Sequence, residues 1–307
     1  MFKERTATRL SVAVPVTADT PPALHPVGVR AVEVPTPVAI AAARHLNQAA
    51  GIIAGSVLID SAIEHYRGKF HNPAMVTPLL SAAASIAVSV HGMADSRDEA
   101  HGARDATYSA ASLVGLVGTG FHFYNVTKRV GGFSWQNLFY AAPLGAPMAM
   151  TLSGLMGFLG ERVRAGSGGE RATVAGLDAA RVVAAVAAVS LVGTSAEAGL
   201  LHFRGAFHNP AMLLPVTVPL VAAGLVAEVA VGRAEPRPIT RGWLIATAAL
   251  GVGGVALHAY GVSREMGGWR NWRQNLFVGP PLPAPPAFTG LAFAGLAALA
   301  LLKARRT

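Results

Sequence analysis

The chain has 307 residues, of which 52% are hydrophobic and 13% charged, with no cysteine and a formal net charge of +9. A globular protein carries about 25% charged residues, so the apolar excess must face lipid, and a soluble enzyme is excluded. The missing thiols exclude disulfides, iron–sulfur clusters, thiolate metal sites and cysteine nucleophiles. The basic surplus is not a nucleic-acid footprint, because 17 of the 25 Lys and Arg fall in one set of alternate loops and tails and eight in the other.

Residues 1–44 contain "VPVTADTPPALHPVGVRAVEVPTP", whose prolines interrupt a helix and whose charges break any apolar core. This segment is expected to be a mobile cytoplasmic tail and not a cleaved signal peptide. Apolar stretches follow at 46–66, 74–95, 104–125, 142–160, 178–201, 210–232, 242–262 and 284–303. Each is near the ~20 residues that a helix needs to cross a bilayer, which predicts an all-α integral membrane protein of eight transmembrane helices. The basic residues then place both termini in the cytoplasm, with a bacterial inner membrane as the expected location.

The chain also repeats itself. "HYRGKFHNPAM" from His65 and "HFRGAFHNPAM" from His202 agree at nine of eleven positions, at an offset of 137. "HFYNVTKRVGG" from His122 returns as "HAYGVSREMGG" from His258, and "QNLFYAAPLGAP" from Gln136 as "QNLFVGPPLPAP" from Gln274. The expected organisation is therefore a tandem duplication: a first four-helix repeat at 45–165, a cytoplasmic linker at 166–175, a second repeat at 176–303 and a C-terminal tail at 304–307. An even number of spans returns each half to its starting side, so the halves share one orientation. The first, third, fifth and seventh spans then run outward.

Within the eleven-residue segment, Gly68 and Gly205 are expected to close an outward helix with positive φ. Asn72–Pro73 and Asn209–Pro210 are expected to open the next helix, Asn as the N-cap and Pro at the first position. Neither role requires His65 or His202. His122 and His258 end two further outward helices, each in a repeated His-x-Tyr with Tyr124 or Tyr260. Four imidazoles at one face suit axial ligation of a b-type haem, another metal, or contact with a quinone. Arg67 and Arg204 stand where haem propionates or an anionic head group would lie. His71 and His208 are additional candidate ligands beside the turn.

Asp60 and Glu197 lie five residues before the repeated histidines, inside the spans. A carboxylate there needs a partner or a water-filled cavity, so the pair is a candidate proton or cation path. His91 and Glu228 match near the inner ends of the second and sixth spans without a shared chemistry. After the third and seventh spans, "GGFSWQNLF" and "GGWRNWRQNLF" read as short interfacial helices over the bundle mouth, with Gln136, Asn137, Gln274 and Asn275 as entrance-lining alternatives. The small residues of "GLVGTG" and "GVGGVA" place the third and seventh spans near the centre of each bundle. No phosphate loop, HExxH zinc motif or GxSxG elbow stands in a supporting context.

Three functions are compatible with this pattern. The first is a redox-linked membrane subunit whose outward histidines hold haem, metal or quinone and face an exterior, periplasmic redox partner or a membrane complex. The second is a proton- or cation-coupled transporter with its site between the repeats. The third is a structural subunit with no site of its own.

Overall fold

The computed structural model describes residues 36–140, 143–166 and 172–304. About 81% of the described residues are helical. In chain order the elements are α1 (Thr36–Arg67), α2 (Thr77–Ala94), α3 (Gly102–Thr127), α4 (Trp135–Tyr140), α5 (Gly145–Ala165), β1 (Thr173–Val174), β2 (Leu177–Asp178), α6 (Ala179–Arg204), α7 (Val218–Ala230), α8 (Pro238–Arg264), α9 (Trp272–Val278) and α10 (Pro286–Ala304). Residues 1–35, expected to form the tail, lie outside the described residues, whereas 36–44 are the first turns of α1. Part of the expected linker is a small antiparallel hairpin, with Thr173 opposite Asp178 and Val174 opposite Leu177. Asp178 then caps α6 by accepting the Arg181 N–H at 3.1 Å.

Among the described residues, six helical segments are long and apolar enough to cross a bilayer: Thr36–Arg67, Pro73–Ala94, Ala179–Arg204, Pro210–Ala230, Pro238–Arg264 and Pro286–Ala304. The chain is a polytopic membrane protein. α3 and α5 fall short of that measure. α3 opens on Arg104 and Asp105 and is diluted by Ser, Gly and Thr, and the charges Glu161, Arg162 and Arg164 leave α5 an uncharged part of only 145–160.

Helices α1, α5, α6 and α10 form the centre. α1 packs on α5 and α10, and α6 on α10 and α5. Their inner faces are built from alanine and a few larger side chains, such as Ala43, Leu46, Ala50 and Ile53 on α1 and Ala292, Ala294, Ala297 and Ala298 on α10, all buried. In lipid, small residues of this kind let backbones approach so that dispersion, not hydrophobicity, holds the helices. α2 and α3 flank one side of this centre, α7 and α8 the other, with Leu113, Leu116, Val117, Val252 and Ile245 exposed on their outer faces. α3 and α8 are thus peripheral, contrary to the expectation from their glycines. Those glycines do work at helix contacts: a Cβ on Gly115 would come within 2.3 Å of the Thr151 nitrogen, and one on Gly251 within 2.8 Å of the Thr289 nitrogen. They seat α3 on α5 and α8 on α10 without making α3 or α8 central.

Candidate functional site

The two copies of the eleven-residue segment fold alike. α1 ends as Gly68 N–H reaches Glu64 O at 3.0 Å and Phe70 N–H reaches His65 O at 3.0 Å; in the other copy Phe207 N–H reaches His202 O at 3.1 Å. The left-handed residues are Lys69 and Phe70 (φ 57° and 45°) and Ala206 and Phe207 (φ 55° and 46°). This corrects the expectation for Gly68 and Gly205, neither of which has positive φ. An added Cβ at either glycine would stand 3.0 Å from Cε of Met75 or Met212, a contact that a small shift of the flexible methionine end relieves. Asn72 and Asn209 each accept an N–H two residues on, from Ala74 and Ala211, both at 2.9 Å. The expected caps therefore form, but each opens a 3₁₀ turn, Pro73–Val76 or Pro210–Val216, before the α-helix proper.

The leading histidine joins the first residue of the segment to the last. His65 Nδ1 lies 2.6 Å from Met75 O, and His202 Nδ1 lies 2.9 Å from Met212 O. His122 and His258 are held in the same way by the loops entering α5 and α10, with Nδ1 2.6 Å from Pro143 O and 2.7 Å from Pro281 O. A carbonyl oxygen only accepts, so each Nδ1 carries the proton and each neutral ring keeps its lone pair on Nε2. Four half-buried imidazoles are thus fixed in one tautomer by main-chain carbonyls.

They fall into pairs. The rings of His202 and His258 are 6.3 Å apart between centroids, at 68°. His65 and His122 lie within electrostatic range of each other. Among the described residues no group of three or more His, Asp or Glu is placed to hold a metal ion. His71 and His208 are exposed and bond back to Gly68 O and Gly205 O at 3.0 Å, which fixes the turn. Arg67 is engaged by Glu64 at 2.7 Å, and Arg204 lies over the rings of Phe139 and Tyr140 at 5.6 and 5.8 Å. Tyr124 and Tyr260 are more than half exposed.

The expected short helices are α4 and α9, and each covers the first long helix of the opposite half. Phe139 of α4 meets Phe203 of α6 at 5.9 Å. On α9, Phe277 meets Tyr66 of α1 at 5.4 Å and Arg273 donates to the Tyr66 hydroxyl at 2.9 Å. Asn137 and Asn275 are not entrance residues: Asn137 Nδ2 donates to Gly132 O at 2.7 Å and Asn275 Nδ2 to Gly268 O at 2.8 Å, tying down the glycine loops. Gln274 accepts from Asn271 at 3.2 Å.

Asp60 and Glu197 are half-buried and come within electrostatic range of each other across the two halves. Glu197 accepts the Gly145 N–H at the start of α5, so tightly that a Cβ on Gly145 would meet its carboxyl at 2.7 Å. A carboxylate suits the positive end of a helix.

A second polar cluster, which sequence reasoning missed, lies at the opposite end of the first half. Arg104 forks onto Glu161, Nε to Oε1 and Nη2 to Oε2 both at 2.9 Å, and reaches Asp95 at 2.7 Å through Nη1. Arg164 caps the end of α2 by donating to Gly92 O at 2.9 Å, Asp95 O at 3.0 Å and Arg97 O at 2.7 Å. Hydrogen bonds from Arg97, together with Arg104, hold the Asp95 carboxyl well below the usual carboxylate range. Beneath this, Tyr108 donates to Asn47 at 2.6 Å and shares a bond of 3.1 Å with Ser89. The signal in the sequence was Arg104, Glu161 and Arg164 beside or inside apolar stretches; in the second half the positions matching Glu161 and Arg164 are Leu299 and Leu302, so the cluster has no counterpart in the repeat. His91 and His101 also meet here, edge to face at 5.1 Å.

Comparisons with protein-family models, with curated proteins and with solved structures gave no match to this chain.

Proposed function

We propose that this protein is a redox-linked membrane subunit with two paired-imidazole sites at its exterior face, His65 with His122 and His202 with His258. The observation that carries the reading is the common state of the four rings: Nδ1–H held by a main-chain carbonyl and Nε2 left with its lone pair. A carbonyl or carboxylate on the far nitrogen is how ligating histidines are oriented and made more basic. Such a pair suits haem b, another metal ion or a quinone, and passes charge to a periplasmic partner or a neighbouring subunit. The test is to purify the full chain in mild detergent and record its visible spectrum, its bound metals and its extractable quinone. A Soret band, a stoichiometric metal or co-purified quinone supports the reading, and a colourless preparation lacking all three overturns it.

The reading includes the topology. Eight spans in two same-orientation four-helix units, with both termini cytoplasmic, are favoured by the matching neighbours: α1 with α2 and α5, and α6 with α7 and α10. The repeated turns at Lys69–Phe70 and Ala206–Phe207 favour it too.

A second reading rests on the approach of Asp60 and Glu197. Two intramembrane acids from opposite halves form a proton or cation relay between the repeats, as in a coupled transporter. Flux measured in proteoliposomes and left unchanged by Asp60→Asn with Glu197→Gln would exclude it.

A further inference from the structure

Each short helix meets the opposite half at an aromatic contact that carries one arginine. At the first junction Phe139 of α4 packs edge to face on Phe203 near the end of α6, and the Arg204 guanidinium lies over the rings of Phe139 and Tyr140. At the second, Phe277 of α9 meets Tyr66 near the end of α1, and Arg273 donates to the Tyr66 hydroxyl at 2.9 Å. Both arginines are exposed, and among the described residues neither has a carboxylate at salt-bridge distance. The acids nearby are engaged elsewhere: Glu64 binds Arg67 at 2.7 Å, and Glu197, within electrostatic range of Arg204, accepts the Gly145 N–H.

The two cations come from different places in the repeat. Arg67 is the counterpart of Arg204, but Glu64, whose counterpart is Leu201, compensates it. The second junction takes its uncompensated charge from Arg273, whose counterpart is Trp135. Ring packing alone does not require a cation at either junction, so one unpaired guanidinium at each, supplied from unlike positions, points to an anionic ligand common to both. Depth names its source. Arg181 and Arg204 lie 23 residues apart on α6 and Arg44 and Tyr66 lie 22 apart on α1, which is about 35 and about 33 Å of helix. A hydrocarbon core is about 30 Å thick, so with Arg181 and Arg44 at the headgroups of one leaflet, Arg204 and Arg273 stand at the phosphates of the other.

We propose that Arg204 and Arg273 each hold the phosphate of an anionic phospholipid in the leaflet at the histidine end of the bundle. A guanidinium seated against aromatic rings keeps N–H donors for a phosphodiester, and its planar fork is already oriented. The surrounding rings belong at the membrane interface, beside the lipid's glycerol backbone. With Glu64 and Glu197 engaged, no carboxylate is left for the ammonium of a choline or ethanolamine headgroup, which favours a glycerol headgroup. These sites are separate from the histidine pairs and do not depend on what those hold.

The full chain is purified in mild detergent and supplied with phosphatidylglycerol or with phosphatidylcholine of the same acyl chains, and bound lipid is counted by native mass spectrometry. Two molecules of phosphatidylglycerol are expected to be retained, with about tenfold preference over phosphatidylcholine. Arg204→Gln and Arg273→Gln are each expected to remove one and together both, whereas Arg67→Gln, whose charge Glu64 already meets, should leave both. The thermal midpoint of the same samples checks folding. Should the glutamine variants melt lower, Arg204→Lys and Arg273→Lys, which keep the charge and lose the planar fork, are read instead and should still reduce the preference severalfold. Equal retention of the two lipids, a lipid count unchanged in both glutamine variants, or loss of a lipid in Arg67→Gln overturns the proposal. So does displacement of the lipid by an equal concentration of tail-less glycerol 3-phosphate, which would make the ligand a free phosphate. Loss of a bound acidic protein from Arg204→Gln with the lipid count unchanged would make the junction a protein-docking face, and overturns it too.

Discussion

His202 does for its turn what a disulfide does for a longer loop: one bond from Nδ1 closes the ten residues to Met212. Its replacement by alanine leaves the Met212 carbonyl unpaired at the mouth of the bundle, and an orphaned acceptor costs about 1–3 kcal/mol. His202→Ala and His65→Ala are therefore expected to lower the melting temperature in detergent, each by a similar amount, apart from any loss of ligand. The opposite sign is expected one turn later. Ala206 sits at φ 55° with a side chain that disfavours that region. Ala206→Gly removes a strain of about 1 kcal/mol, offset in part by the greater freedom of the unfolded chain, so the variant should melt no lower than the parent. A drop of several degrees would show that the methyl group packs.

Between elements, glycine marks where helices touch. A Cβ on Gly154 of α5 would land 2.4 Å from the Tyr108 carbonyl oxygen and 2.5 Å from the Ser112 nitrogen, both backbone atoms of α3, whereas Gly253 on α8 has nothing within 4 Å. Gly154→Ala should force α3 and α5 apart and reduce the folded yield severely, while Gly253→Ala should be neutral; monodispersity after heating distinguishes the two. The ion cluster between α2, α3 and α5 follows a different rule. Removing one partner of a buried pair leaves an uncompensated charge and costs about 3–5 kcal/mol. Arg104→Ala alone should be more destabilising than Arg104→Leu combined with Glu161→Leu, because the second half packs Leu299 where the first has Glu161. Both thermal midpoints are read in the same detergent. Asp95 adds a pH dependence of known sign. Its carboxyl is held below the ordinary value by Arg97 and Arg104, so the stability it contributes is complete above about pH 4 and is lost only as pH falls further. Asp95→Asn should therefore flatten the acid limb of the stability curve and lower the plateau at pH 7.

At the scale of the whole molecule, the ends of α1, α3, α6 and α8 meet at one end of the bundle, and each half is roofed by a short helix from the other. Tips of the two glycine loops carry Val130 and Met266, 101% and 90% exposed. Under the proposed topology both tips are exterior and the C-terminus after α10 is cytoplasmic. Cysteines introduced at Val130 and Met266, in a chain that has none of its own, should react with an impermeant maleimide on intact cells. One introduced beside Lys303 should react only after lysis. Protection of either loop tip would reverse the orientation or the span count.

Membrane residence was legible in the sequence, because runs of about twenty apolar residues have no other solvent. The repeated segments were legible too, since identity at nine of eleven positions survives only where geometry is demanding. Asn72 and Asn209 could be assigned as caps from local chemistry alone. What His122 and His258 bond to could not, because Pro143 and Pro281 reach them only through tertiary packing. Central and peripheral helices were likewise decided by the fold: a glycine stripe says that a helix approaches a neighbour, not how many neighbours it has. The Arg104–Glu161 cluster was hidden for a further reason. A charge reads as a helix end in one dimension, and only three converging helices turn it into a buried, fully bonded pair.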